Sequence, residues 1–398
     1  MGGIQTLMMR MAQWLINQGH RVIIIAAEDG SMRRQLPTSV QVIVDKAWYA
    51  MLLKGGRAAS NRFLQTFLAR QHVDVFYCFS DETIWLAAGL LNAQKKPSRC
   101  LGGVYGLYDY GIGPAVIGYP KLAELVYPES YLFLHHLPET SRIYMSSALQ
   151  KHLQSKSDVP VGGRIWPLPV DGSRFSGLRR QPEPGLIVSV GRLAPMKDYN
   201  LCMVDVIAEL RGQGLDVRWD VYGDGPYRQE MEVRIRTHGL QDYVRLMGEI
   251  KYEDLGEAFS RAYLFVGMGT ALIEAGFAGI PSIVAIAFEP QSVTYGFLHE
   301  LPEYTCGEPV SQPVKPMALL IRQVCALSSS GYEQLAKKQR LHAARFDLPH
   351  LMGKFLELVE QAPPIARIWR PQWRRPVAML YRRLRNFRHS HRPEATAV

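Results

Sequence analysis

Short runs of β-branched and other apolar residues alternate along the chain with longer segments whose apolar residues recur at helical spacing. The short runs predict buried strands and the longer segments predict helices. Their alternation is typical of parallel sheets joined by crossover helices. In the first half, the predicted strands are 21–27, 40–44, 73–77, 99–103, 131–134 and 164–168, and the predicted helices are 6–17, 61–71, 81–91 and 139–154.

A second series of the same kind follows residues 169–184, a stretch rich in proline, glycine and arginine that we interpret as a linker. Its predicted strands are 186–190, 217–222, 244–247, 264–267 and 282–285, and its predicted helices are 200–213, 227–237, 252–261 and 270–278. The pattern predicts an α/β protein with two doubly wound, Rossmann-like domains facing each other across a cleft, with ligands at the carboxyl ends of the strands. The expected domains are residues 1–168 and 185–361, and a tail covers 362–398.

The beginning of the first domain departs from this pattern. Gly2 and Gly3 lead into the first helix, where a strand would normally precede such a glycine pair, and only Met1 stands before them. Either the true start lies upstream or the domain lacks a central strand. We favour an upstream start, because a missing inner strand would leave neighbouring backbone groups unpaired.

Composition agrees with a large globular protein that stays in a reducing compartment. Of the 398 residues, 47% are hydrophobic and 21% are charged, which excludes wholesale disorder. No secretory signal begins the chain, and the sequence predicts a cytoplasmic protein. The apolar segment 262–288 is interrupted by four glycines and Pro281, which argues against a membrane span. Five scattered cysteines without a C-x-x-C pair indicate neither disulfides nor zinc: they are Cys78, Cys100, Cys202, Cys306 and Cys325.

Positive charge is concentrated at the carboxyl end of the chain. The net charge is +10, but nine arginines lie between Arg367 and Arg392, and the remaining chain carries only about +2. A specific nucleic-acid surface on the globular part is therefore not expected. Arginines interleaved with Trp369 and Trp373 suit the headgroups of an anionic membrane. The alternatives for segment 367–392 are a disordered basic end and nonspecific affinity for RNA.

The strongest chemical signal lies at the carboxyl end of the strand 186–190. Arg192 and Lys197 place two positive charges on a loop that runs into a helix, and together they suit a diphosphate. The alternative is a pair of solvated surface cations.

A second signal spans residues 267–275, where Gly267 and Gly269 allow a ligand to approach the backbone at a helix start. Glu274 could accept hydrogen bonds from ribose hydroxyls, or it could simply favour the helix N-terminus.

Other candidate motifs are weaker or missing. The sequence contains no G-x-G-x-x-G after a first strand and no G-x-x-x-x-G-K-[ST], which argues against a dinucleotide-dependent dehydrogenase and a P-loop enzyme. His135 and His136, at the end of the predicted strand 131–134, lack metal-ligand spacing, and we interpret them as structural.

The combined motifs resemble the GT-B-fold glycosyltransferases, specifically the large retaining family 4 that uses nucleotide-sugar donors. The resemblance covers residues 188–284 nearly throughout: V-G-R-L-x-x-x-K, Y-G-D-G-P, Leu-Met-Gly at 246–248, G-x-G-x-x-x-x-E-A and Gly-Ile-Pro at 279–281. In the first half it is thinner. There it depends on Gly2-Gly3, on G-H-R-V at 19–22, and on L-P-V-D at 168–171 with Arg174-Phe175.

The resemblance implies a role for each matching position. Arg192 and Lys197, beside Gly191, would hold the donor diphosphate and stabilise its charge as it leaves. The remaining donor-binding positions implied are Gly3, Met247, Gly248, Glu249, Gly267, Gly269, Thr270, Ala271 and Glu274. The family needs no metal or other cofactor, because the two cations act on the diphosphate. The implied partners are a nucleotide sugar and a saccharide or lipid-linked envelope acceptor, and the tail implies a peripheral position on the inner face of the plasma membrane.

Two departures from the family pattern leave part of this function open. Val266 stands where the family carries the first of two glutamates, which makes the donor sugar uncertain. The histidine usually found in the first domain is also missing, and Tyr105 or Asp109 are candidates to replace it near the acceptor. The alternatives to a sugar transferase are a catalytically degenerate scaffold protein and, less favoured, an epimerase of the same fold.

Overall fold

The computed structural model describes residues 3–26, 30–44, 71–106, 128–155 and 160–368. Its contacts divide the chain into two compact units: unit 1 comprises Met1–Pro167 with Met352–Val398, and unit 2 is Leu168–Leu351. The expected second domain extended to residue 361, whereas these contacts group residues from Met352 onward with unit 1.

Unit 1 contains two parallel sheets among its described residues. Its strands are β1 (Ile23–Ala26), β2 (Gln41–Val44), β3 (Val75–Cys78), β4 (Arg99–Val104), β5 (Arg142–Tyr144) and β6 (Arg164–Ile165). Its helices are α1 (Gly3–Asn17), α2 (Asp81–Leu91), α3 (Pro128–His136) and α4 (Ser147–Gln154). Strands β1 and β2 pair with each other, and the second sheet has the order β3-β4-β5-β6. Helix α2 begins where the sequence predicts, because the Ser80 side chain accepts a hydrogen bond from the Thr83 amide.

Two predictions for this unit are wrong. Residues 131–134 form part of helix α3, not a strand, so His135 and His136 end a helix. A short apolar run has no periodicity that separates the two structures, and here α3 packs against α2. The predicted helix 139–154 is an α-helix only from Ser147, which follows an N-cap at Ser146, and a single 3₁₀ turn covers Glu139–Ser141.

Residues 142–144 of that predicted helix instead form β5, which lies between β4 and β6. Of the predicted strand 164–168, only Arg164–Ile165 is paired. The predicted helix 61–71 lies outside the described residues except for its last position.

Unit 2 is built on one seven-stranded sheet. Its strands are β7 (Leu186–Val190), β8 (Arg218–Tyr222), β9 (Val244–Gly248), β10 (Leu264–Gly267), β11 (Ser282–Ala285), β12 (Val293–Phe297) and β13 (Lys315–Pro316). Its helices are α5 (Tyr199–Gly212), α6 (Arg228–Thr237), α7 (Leu255–Arg261), α8 (Thr270–Phe277), α9 (Met317–Cys325), α10 (Ser329–Ala343) and α11 (Leu348–Gln361), the last shared with unit 1. The strand order is β13-β12-β11-β10-β7-β8-β9. The pairs from β11 to β9 are parallel, whereas β12 and β13 are antiparallel.

The central strand β7 is joined to both neighbours by one buried serine. The Ser189 hydroxyl donates to the Val266 carbonyl oxygen on β10 at 2.7 Å and accepts from Trp219 Nε1 on β8 at 2.9 Å. Trp219 is fully buried. These bonds link β7 to both neighbours one residue before β7 ends, and the loop that follows carries the two candidate cations.

The segment 169–184, expected to link two domains, is packed against unit 2. Val170 and Phe175 are buried in its hydrophobic core. The Gln181 amide donates to the Ser260 carbonyl at 2.8 Å, and the Arg180 guanidinium donates to the Gly279 carbonyl and to the Tyr332 hydroxyl. The segment has no periodic pattern because single side chains and backbone groups anchor it.

The end of the described chain is anchored on unit 1. Phe355 of α11 packs edge to face on Tyr77, with ring centroids 5.0 Å apart. Residue Ile365 forms a bridge with Ser98, and the Asn92 side chain binds both the amide and the carbonyl of Ile368 at 2.8 Å. The tail from residue 369 lies outside the described residues.

No helix in the described part of the chain has the length and apolar character of a membrane span. Segment 262–288 divides into β10, α8 and β11, as predicted. All five cysteines are free thiols, as predicted.

Candidate functional site

The candidate site lies at the carboxyl edge of the unit 2 sheet. Strand β7 comes first in the chain and has β10 on one side and β8 on the other, so the direction of strand addition reverses beside it. Ligands of doubly wound sheets bind at this switch point, outside the carboxyl ends of the strands. The loop after β7 carries Arg192 and Lys197, and the loop after β10 leads into α8.

The loop after β7 is held by backbone contacts with the loop after β8. The Gly191 amide donates to the Tyr222 carbonyl at 2.9 Å, and the Leu193 amide donates to the Asp224 carbonyl at 3.0 Å. A side chain on Gly223 would place its Cβ 1.9 Å from the Gly191 carbonyl oxygen, and Gly223 has φ +149°. Only glycine allows this approach, which fixes the start of the loop.

Lys197 folds back over the start of its own loop. A Cβ built on Gly191 would lie 2.0 Å from Lys197 Nζ, so the ammonium occupies the space that a side chain at Gly191 would fill. Burial, followed by the charge of Arg192, lowers the pKa of Lys197 to about 8. Arg192 is exposed. In the described part of the chain, no acidic side chain forms an ion pair with either cation, and the pair therefore presents uncompensated positive charge.

Helix α8 adds amide groups beside these cations. Gly269 precedes the helix with φ +71°, its amide donates to the Cys306 carbonyl at 2.6 Å, and no side chain caps the helix. The half-buried residues Thr270 and Ala271 form its first turn. Uncapped first-turn amides attract anions. Glu274 is only 3% exposed and lies one turn further along α8.

The end of β9 supplies the positions implied for the nucleobase. The Gly223 amide donates to the Gly248 carbonyl at 2.7 Å, which ties the end of β9 to the loop after β8. Met247 is 45% exposed, Glu249 is exposed, and Gly248 has open space at its Cα with φ +77°. An exposed methionine beside open backbone suits a flat, apolar ring. The structure therefore brings Arg192, Lys197 and the predicted residues of β9, β10 and α8 to one edge of one sheet.

Gly267 and Val266 lie within the β10 strand of this edge. A Cβ on Gly267 would meet the Phe265 ring at 2.7 Å, so this glycine provides close packing of the strand end. Val266, at the position of the missing family glutamate, is fully buried.

The structure places the remaining predicted positions in unit 1. Gly3 begins α1, and a Cβ added at this position would have no atom within 4 Å. Tyr105 is buried, and its hydroxyl is hydrogen bonded to the Tyr77 hydroxyl. Asp109 lies outside the described residues. Among the described residues, no three His, Cys, Asp or Glu side chains form a group that could hold a metal ion.

Several contacts that shape the site were not predicted from the sequence. The Asn200 side chain donates to the Lys197 carbonyl at 2.9 Å, and the Phe288 amide donates to the Met196 carbonyl at 3.0 Å. Met196 has φ +85°, a backbone angle that residues other than glycine seldom adopt. The Tyr227 hydroxyl donates to Asp198 Oδ1 at 2.5 Å. In the sequence, the G-D-G-P turn before Tyr227 is the feature from which this contact could have been predicted.

Comparison with known proteins finds a family match over this part of unit 2. Residues 174–293 match the family described as Glycosyl transferases group 1. This region contains both cations and all the predicted positions on β9, β10 and α8.

The curated relatives resemble the chain over much of its length. A human phosphatidylinositol N-acetylglucosaminyltransferase subunit is 23% identical over 76% of this chain. The phosphatidylinositol N-acetylglucosaminyltransferase GPI3 subunit of Saccharomyces cerevisiae is 21% identical over 96% of it. The chain spans 61% of the length of the human relative and 85% of that of the yeast relative.

The solved structures agree in fold. Alr3699/HepE of Anabaena, in complex with UDP and glucose, superposes with a TM-score of 0.64 at 16% identity and covers 90% of this chain and 96% of its own. The predicted GT-B fold is therefore confirmed.

Proposed function

We propose that the chain transfers a sugar from a nucleoside-diphosphate sugar to a saccharide or lipid-linked acceptor, since residues 174–293 match the glycosyl transferases group 1 family and the chain has the GT-B fold. In this proposal the anomeric configuration of the sugar is retained. The acceptor hydroxyl attacks the sugar from the side of the departing diphosphate, and a phosphate oxygen takes the hydroxyl proton.

The observation that supports this proposal is the uncompensated charge at the switch point of the sheet. Arg192 and Lys197 lack an acidic partner among the described residues, and the pKa of Lys197, lowered to about 8, leaves it charged near neutral pH. The first-turn amides of α8 follow the adjacent strand β10. A diphosphate gains negative charge when its bond to the sugar breaks. Preorganised cations and amides stabilise that charge more than they stabilise the intact donor, which accelerates the step.

The relatives suggest which donor to test first. The human and yeast relatives are named N-acetylglucosaminyltransferases, and the Anabaena structure holds UDP. We therefore propose UDP-N-acetylglucosamine, with the base at Met247 to Glu249 and the ribose at Glu274. The buried Val266 cannot supply the carboxylate that touches the donor sugar in the family, so recognition of that sugar must depend on other groups.

A lipid-linked acceptor would place the enzyme at a membrane surface on the cytoplasmic side. The described chain is anchored on unit 1 up to Ile368, and the arginine-rich segment follows directly. Basic residues near an anionic surface contribute about 1 kcal/mol each. Flotation with phosphatidylserine vesicles should carry the full-length chain and not a chain ending at Ile368. Equal flotation of both would exclude the tail as the anchor.

The enzymatic proposal is tested by hydrolysis of UDP-N-acetylglucosamine without acceptor, monitored as released UDP. Arg192→Ala and Lys197→Ala should each lower kcat/KM by roughly 100-fold, the scale expected for loss of one preorganised charge-stabilising group. Arg236→Ala and Lys337→Ala remove exposed cations elsewhere on unit 2 and should leave the rate unchanged. Unchanged turnover in both loop variants would refute the assignment.

The catalytically degenerate scaffold remains the second candidate, and Val266 is the observation that favours it. A scaffold would bind the nucleotide with its cations intact and release no UDP from any donor sugar. The same assay therefore separates the two functions.

A further inference from the structure

One acidic side chain follows the loop cations directly. Asp198 is the only acidic residue from Gly191 to the start of α5, and it is the immediate neighbour of Lys197. A carboxylate beside two cations competes with a diphosphate, because it offers negative charge at no cost in binding entropy. Yet Asp198 pairs with neither cation within the described part of the chain.

Asp198 also lacks the hydrogen bond that an aspartate at a helix N-terminus usually makes. It occupies the N-cap position of α5, where aspartate normally accepts a hydrogen bond from an amide of the first turn, and it makes no such bond. Its Oδ1 instead accepts from the Tyr227 hydroxyl at 2.5 Å. This hydrogen bond raises the pKa of Tyr227 to about 12, so the hydroxyl remains a donor across the physiological range.

The backbone at Tyr227 is held independently of this hydroxyl. Its amide donates to the Leu193 carbonyl at 2.9 Å, in the middle of the cation loop. A Cβ on Gly225 would lie 2.4 Å from the same carbonyl oxygen, so the turn before Tyr227 is seated directly on the loop. The backbone that carries the tyrosine hydroxyl is therefore fixed to the cation loop, whether or not the hydroxyl binds Asp198.

We propose that Tyr227 is a positioning residue of the diphosphate site: its hydroxyl holds the Asp198 carboxylate away from Lys197 and Arg192 and keeps both charges available to the donor. This inference rests on the proposed function. Without the hydroxyl, the carboxylate regains its rotational freedom, and the Lys197 ammonium belongs to the adjacent residue of the chain. An anionic neighbour would then weaken diphosphate binding without changing either cation.

The test is a double-mutant cycle of UDP affinity, measured by isothermal titration calorimetry on the full chain. Tyr227→Phe should weaken UDP binding roughly tenfold, the scale of one partly screened charge pair. Asp198→Asn in the same chain should restore the affinity, because the amide carries no charge. Tyr243→Phe is the matched control, since that ring packs on the Arg211 guanidinium away from this loop. Melting temperatures of all variants establish that each is folded.

The outcomes separate this inference from the proposed function. If the unaltered chain binds none of UDP, GDP and ADP, the proposed function fails and the inference fails with it. If the unaltered chain binds UDP and Tyr227→Phe binds it within twofold, the inference alone is overturned. A double variant as weak as Tyr227→Phe would also overturn it, because the loss would then come from lost packing or lost hydrogen bonding and not from the carboxylate charge.

Discussion

The placement of Lys197 over Gly191 allows the diphosphate site to be perturbed without touching a charge. In Gly191→Ala, the new methyl carbon would lie 2.0 Å from Nζ. Non-bonded heavy atoms approach to about 3.5 Å, so the ammonium must retreat by about 1.5 Å. A misplacement of about 1 Å can cost roughly 100-fold in rate. We therefore expect kcat/KM for donor hydrolysis to fall roughly 100-fold in Gly191→Ala, although both cations remain.

The same substitution also strains the backbone, and the assay must separate this effect from the displacement of Lys197. Gly191 has φ +150°, a region that other residues adopt at a cost of about 1–3 kcal/mol. Thermal denaturation should therefore show a lower melting temperature, with most of the chain still folded at 25 °C.

A double variant and a matched control separate the two effects. In a Lys197→Ala background, Gly191→Ala should cost little further activity, because no ammonium is left to displace. Gly177→Ala, at an exposed glycine with nothing within 4 Å, is the control and should match the unaltered chain. Activity of Gly191→Ala within twofold of the unaltered chain would refute the proposed position of Lys197.

Three further predictions follow from described contacts. Because burial and Arg192 lower the pKa of Lys197 to about 8, and a bound diphosphate favours the charged ammonium, UDP binding should take up a proton above pH 8. Titration calorimetry should show that the UDP affinity falls by up to about tenfold per pH unit above pH 8. Arg192→Gln should move the pH at which this fall begins to a higher value. An unchanged starting pH in Arg192→Gln would contradict the effect of Arg192 on the pKa of Lys197. Ser189→Ala leaves the buried Trp219 indole N–H without its partner and should lower the free energy of unfolding in urea by about 1–3 kcal/mol. The control Ser329→Ala, at an exposed position of α10, should lower it by less than about 0.5 kcal/mol. Equal stabilities of the two variants would contradict the link that Ser189 makes between the strands. Gly223→Ala should lower the free energy of unfolding in urea more than Gly191→Ala, because its Cβ would meet a backbone oxygen and not the end of a flexible side chain. A smaller loss of unfolding free energy than in Gly191→Ala would show that the loop shifts to make room for the Cβ.

The fold of unit 2 was predictable because its central strands β7, β10 and β11 are buried. Runs such as Leu186–Val190, with Ser189 its one polar residue, and Leu264–Gly267 are almost entirely apolar, as expected for strands covered on both faces. Glycines mark the ends of the helices between them. Unit 1 was less predictable where local signals conflicted. The three residues of β5 are too few to show alternation, and only pairing with β4 and β6 makes them a strand.

The candidate site divides in the same way. Arg192, Lys197 and the glycines could be identified because charge and backbone freedom are visible in the sequence. The contacts that orient them could not, since they join residues distant in the chain. Tyr227 and Asp198 are 29 positions apart, and the carbonyl of Met196 meets the amide of Phe288 from beyond β11. Such contacts exist only once the loops after β7, β8 and β11 have been brought to one edge of the sheet.

The proposed function requires one diphosphate to bind between the Arg192–Lys197 loop and the start of α8. A crystal structure of the chain with UDP tests it most directly. We expect phosphate oxygens within hydrogen-bond distance of the Arg192 guanidinium, Lys197 Nζ and the amide of Thr270 or Ala271. A UDP bound with its diphosphate away from these groups, or a complex unchanged in Arg192→Ala and Lys197→Ala, would contradict it.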